Sequence, residues 1–85
     1  MRYRIEYAKS AIKDLRGIES SDARRITERI DTLSDGLKGD VKRLTNFTPE
    51  YRLRVGDFRI LFHVDGELII IIHIRKREDA YRLRG

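Results

Sequence analysis

The chain has 85 residues, enough for a single domain around one small core, and no cysteine, which excludes disulfides, thiolate metal sites and a thiol nucleophile. Its longest apolar run, residues 68–72, is far too short to span a bilayer. Nineteen Lys and Arg against fourteen Asp and Glu leave a formal charge of +5, a balance that favours polyanionic partners through counterion release.

Fourteen of the nineteen cations are arginine, whose planar fork grips phosphate and stacks on bases better than lysine does. Met1 to Glu6 carries none of the apolar character of a secretory signal, so the chain is expected to stay in the cytoplasm, away from membranes.

Residues 2–7 alternate as a short strand, with Tyr3, Ile5 and Tyr7 on one side and Arg2, Arg4 and Glu6 on the other. From Ala8 the period changes: Ala8, Ala11, Ile12, Leu15 and Ile18 mark one face of a helix that weakens at Gly17. Ser20 or Ser21 can cap a second helix, whose seam is Ala23, Ile26, Ile30, Leu33 and Leu37 and whose stop is Asp35-Gly36. The pattern is that of an antiparallel helical hairpin needing a sheet to cover it.

Residues 38–50 read as a polar loop. Residues 51–55 alternate, Gly56-Asp57 turns, residues 58–64 alternate, and Asp65-Gly66 turns again. Residues 67–75 form the most apolar strand and should lie centrally. Residues 76–85 are a charged tail. The expectation is one α+β domain over residues 1–85: an N-terminal strand, a helical hairpin, then a three-stranded antiparallel meander, with the helices on one face of a sheet of about four strands.

Strand parity sets where the cations point. Tyr51, Leu53 and Val55 alternate with Arg52 and Arg54; Phe58, Ile60, Phe62 and Val64 alternate with Arg59, Leu61 and His63. If Ile70, Ile72 and Ile74 join the core, His73, Arg75 and Arg77 face the open side with Arg52, Arg54 and Arg59. The acids Asp57, Asp65 and Glu67 fall at turns. A face of one sign repels itself unless it meets an anion. Arg52, Arg54, Arg75 and Lys76 are read as anion-binding cations, candidates to hold a nucleic-acid backbone, and the two histidines give no metal-ligand spacing.

The run Tyr51-Arg52-Leu53-Arg54-Val55-Gly56-Asp57-Phe58-Arg59-Ile60-Leu61-Phe62 resembles the central signature of the RelE/ParE toxin superfamily. Arg77-Glu78-Asp79-Ala80-Tyr81-Arg82 resembles its C-terminal element, and Asp40-Val41-Lys42-Arg43-Leu44 its usual lead-in. The resemblance covers essentially the whole chain. It implies a toxin of a type II toxin–antitoxin system with a helical hairpin packed on an antiparallel sheet. In RelE members it implies an endoribonuclease (an mRNA interferase) that enters the ribosomal A site and inhibits translation. There the messenger's own 2′-hydroxyl attacks the adjacent phosphate, without metal or other cofactor.

The positions carried over from that resemblance are Arg52, Arg54, Arg59, Arg77 and Tyr81. Arg59 and Arg77, with Arg54, would stabilise the charge gathering on the phosphate. Arg52 and Arg54 would hold the RNA backbone, and Tyr81 would stack on a base or assist proton transfer. RelE has lysines where this chain has Arg52 and Arg54, and arginine cannot give up a proton. The general base is therefore open between Tyr81 and His73. The resemblance also implies an acidic, partly helical antitoxin that covers the sheet face in a hetero-oligomer. Its rival implication is a ParE-like toxin of the same fold that inhibits DNA gyrase without cutting RNA.

Overall fold

The computed structural model describes residues 2–77. Strand β1 (Arg4–Tyr7) leads into helix α1 (Lys9–Arg16) and helix α2 (Ser20–Thr32), which ends in a short 3-10 turn over Leu33–Asp35. Strands β2 (Asp40–Arg43), β3 (Tyr51–Val55), β4 (Phe58–Asp65) and β5 (Leu68–Lys76) follow. The sheet order is β1-β5-β4-β3-β2, with β1 parallel to β5 and every other pair antiparallel. Among the described residues no helix is long and apolar enough to cross a membrane.

The sheet therefore has five strands where four were expected. The added one is β2, inside the segment read as a polar loop. It is an edge strand whose single apolar residue, Val41, packs toward the core while Asp40, Lys42 and Arg43 stay exposed. A polar edge strand lacks the alternation that marks a strand in sequence, yet its charges protect an unpaired edge. The two hairpins after it are tight two-residue loops, opened by Gly56 and Gly66 at φ 57° and 62°, a conformation that glycine adopts without strain. The second loop is Gly66-Glu67, one residue later than expected, because Asp65 still pairs with Leu68.

The core lies between the helices and one sheet face. Ala11 of α1, with Ile26, Ile30 and Leu33 of α2 and its terminal turn, packs on Leu53, Val55, Phe58, Ile60, Phe62, Ile69, Ile71 and Ile74. The sequence period of α2 is confirmed at those three positions. Its start differs: Glu19 occupies the capping position with no side-chain bond to the helix, and Ser21 Oγ donates to Glu19 Oε1 at 2.9 Å instead.

On β5 the expected core set of Ile70, Ile72 and Ile74 is corrected to Ile69, Ile71 and Ile74. The reason is a bulge: Leu61 pairs with His73 but the next residue, Phe62, pairs with Ile71, so Ile72 is an extra residue on β5. One inserted residue reverses the facing of everything before it. His73 and Arg75 keep the orientation expected of them because they lie beyond the bulge.

Candidate nucleic-acid interface

Residues paired directly across a ladder share a face. Asp40, Arg54, Arg59 and Arg75 are paired in turn across β2, β3, β4 and β5, forming one row on the face away from the helices. The neighbouring row is Lys42, Arg52, Leu61 and His73. Four arginines and a histidine from three adjacent strands are thus gathered at one end of the uncovered face. Arg52, Arg54, Arg59, Arg75 and His73, all predicted for this face, stand together on it.

The row is graded by burial. Arg54 is exposed, Arg75 half-buried, and Arg59, on the central strand, only 8% exposed. A guanidinium in that position needs acceptors. Arg59 Nη1 donates to the carbonyls of Gly56, at 3.1 Å, and Phe58, at 3.2 Å, both at the β3–β4 turn. Those carbonyls fix the side chain between Arg54 and Arg75. Leu61, expected to be wet beside Arg59, is fully buried on this face and does not belong to the helix-side core.

Two acids meet the face at its margins. Asp40 reaches Arg52 Nη2 at 3.6 Å. Asp14 reaches Arg75 Nε at 3.8 Å. Arg54 has no ion pair among the described residues. At the opposite end of the face Glu50 bonds the His63 ring, and its second oxygen lies 3.5 Å from the Val64 amide. Burial pushes the Glu50 carboxyl up, but the bond and charge of His63 with the backbone donors outweigh it and hold the group below its ordinary value.

Asp14 has no sequence signal beyond its place on the polar side of α1. Beyond Tyr7, where β1 ends, the outer edge of β5 is closed by α1 and the residue before it. The Ala8 amide donates to Ile71 O at 2.9 Å. Ser10 Oγ donates to Ile72 O at 2.6 Å, and the Ile74 amide donates to Asp14 Oδ2 at 3.0 Å. Ser10 and Asp14, one helical turn apart, replace the missing strand. The same Asp14 oxygen stands 3.4 Å from His73 Nδ1, which lies 3.2 Å from Arg75 Nη2.

One predicted cation sits elsewhere. Lys76 pairs with Phe58 and so shares the helix-side face, where it lines a pocket of about 350 Å³ with Glu19 and Asp22. Lys76, read as an anion-binding cation, therefore stands on the opposite face from the arginine row. Arg77 is exposed just past β5, its amide donating to Asp57 O at 2.7 Å. Tyr81 lies outside the described residues.

A family model described as the ParE toxin of type II toxin-antitoxin system, parDE, matches residues 5–81. The protein named "Putative toxin RelE1" of Methanocaldococcus jannaschii is 36% identical, over 96% of this chain and 98% of its own length. The toxin–antitoxin complex RelB-RelE from Methanococcus jannaschii contains a chain that superposes with a TM-score of 0.76 at 28% identity, covering 94% of this chain and 99% of that one. The archaeal RelE-RelB complex from Pyrococcus horikoshii OT3 contains another, at 0.75 and 30%, over 94% and 100%. The family model, the relative and the solved folds agree: the chain belongs to the RelE/ParE superfamily and is a toxin of a type II toxin–antitoxin system.

Proposed function

We propose that this toxin is a RelE-like endoribonuclease that cuts messenger RNA in the ribosomal A site. The observation that carries the reading is the row Arg54–Arg59–Arg75, three cations directly opposed across adjacent strands. Like charges so placed repel one another, and a phosphodiester relieves that repulsion. As the 2′-hydroxyl attacks, the phosphate becomes pentacoordinate and gains charge, so fixed cations stabilise the transition state more than the ground state.

Arg59 is the transition-state group in this reading, since its carbonyl anchors hold it ready before RNA arrives. Arg54 and Arg75 flank the same phosphate, and Arg52 binds a neighbouring one. Arg77 adds charge at the margin, and Tyr81 stacks on a base. The ribosome holds the messenger in line for attack, which explains how so small a protein suffices. The products are a 2′,3′-cyclic phosphate and a 5′-hydroxyl.

Because the solved relatives named above are complexes with RelB antitoxins, an acidic, partly helical antitoxin is the proposed partner. It forms a hetero-oligomer in the cytoplasm that covers the arginine face. The description of the matching family model favours a second reading, a ParE-like inhibitor of DNA gyrase. Primer extension on messages from expressing cells separates the two. Cuts in phase with codons support the nuclease; intact message with gyrase-dependent DNA damage supports the inhibitor.

A further inference from the structure

Strand cleavage by a 2′-hydroxyl requires a group that takes its proton, and arginine cannot serve. Among the described residues, an imidazole beside the arginine row can. His73 pairs with Leu61 across the β4–β5 ladder and so shares the face of Arg52 and Arg59. Its Nδ1 is turned to the sheet margin, 3.4 Å from Asp14 Oδ2 and 3.2 Å from Arg75 Nη2. Its Nε2 has no partner among the described residues.

The two contacts at Nδ1 demand opposite protonation. A bare Nδ1 accepts from Arg75, whereas a protonated Nδ1 donates to Asp14. Asp14 is the better fixed partner: the Ile74 amide anchors the same oxygen at 3.0 Å, and Arg75 Nε adds its charge at 3.8 Å. An imidazolium formed here has Arg75 on its own strand, Arg59 on β4 and Arg52 on β3 as cationic neighbours. Asp14 of α1 is the counter-charge that such an ion needs.

We propose that His73 accepts the proton in message cleavage and that Asp14 is its positioning residue, holding Nδ1–H toward α1 and leaving the Nε2 lone pair free. The inference rests on the nuclease reading. In the step, the 2′-oxygen forms a bond to phosphorus while its proton passes to Nε2. The P–O5′ bond breaks, its electron pair leaves on the 5′-oxygen, and that oxygen takes a proton from water.

The test uses the full-length toxin with Asp14→Asn and His73→Gln. Asparagine keeps an oxygen for the Ile74 amide while removing the charge. With the ring neutral, nitrogen-15 spectra should show the wild type as the Nδ1–H tautomer and Asp14→Asn as the Nε2–H tautomer. On ribosome-bound message, Asp14→Asn should lower the maximal single-turnover rate about tenfold or more with half-saturation changed less than about twofold, and His73→Gln about 100-fold. A wild-type Nε2–H tautomer, or either variant cutting at the wild-type rate while Arg59→Ala does not, overturns this assignment and leaves the nuclease reading standing. A wild-type toxin that cuts no message overturns both.

Discussion

Arg54 and Arg59 are directly opposed across the β3–β4 ladder, and Arg59 is opposed in turn by Arg75 across the β4–β5 ladder. Within the row each arginine pair repels. Replacing Arg54 by Gln should therefore stabilise the free toxin, by up to about 0.5 kcal/mol at low salt, while weakening its toxicity. The gain should shrink as salt screens the row. Urea unfolding at two ionic strengths, paired with a growth assay, reads both effects.

Arg59 combines charge with a fork, and lysine keeps only the first. Arg59→Lys should fold but lose its twin grip on the Gly56 and Phe58 carbonyls, at a stability loss of about 1–2 kcal/mol. Message cleavage should fall about 100-fold, because a mobile ammonium no longer waits at the phosphate. Thermal melting and single-turnover cleavage measure the two losses separately.

The outer edge of β5 beyond β1 depends on side chains of α1. Ser10→Ala leaves the Ile72 carbonyl without its donor and should destabilise the fold by about 1 kcal/mol. Hydrogen exchange should show faster opening at the Ile74 amide, which the neighbouring Asp14 holds, while the β3–β4 ladder is unchanged.

Glu50 is held below its ordinary carboxyl value of 4.5 in the folded state. A depressed folded value means that its contribution is present above the unfolded value and is lost as pH falls through the folded one. Wild-type stability should thus drop between about pH 5 and pH 3 more steeply than that of Glu50→Gln. Equal slopes in denaturant titrations across that range would refute the Glu50–His63 pairing.

Much of this face was legible from alternation alone. Arg52, Arg54 and Arg59 lie on regular ladders joined by a two-residue glycine turn, so parity transfers from sequence to structure without error. On β5 parity breaks, because an inserted residue at Ile72 leaves no trace in a run of isoleucines that could face either way. Strand β2 was hidden for the opposite reason: an exposed edge strand is built from the same polar residues as a loop. Asp14 was hidden because a carboxylate on the polar side of a helix looks solvated until the missing strand beside it is seen. Lys76 follows Arg75, so alternation alone sets it on the opposite face from the arginine row, where its pairing with Phe58 turns it toward the helices.

In the proposed reaction the Arg54–Arg59–Arg75 row holds a phosphodiester during cleavage. Its most direct test is single-turnover cutting of message on purified, programmed ribosomes by the wild type and by alanine variants of the three arginines, with end groups identified. Wild-type cuts should end in a 2′,3′-cyclic phosphate and a 5′-hydroxyl, and each variant should lower the rate, Arg59→Ala most of all at about 100- to 1,000-fold. Intact message with the wild type, or undiminished cutting after all three are neutralised, would contradict it.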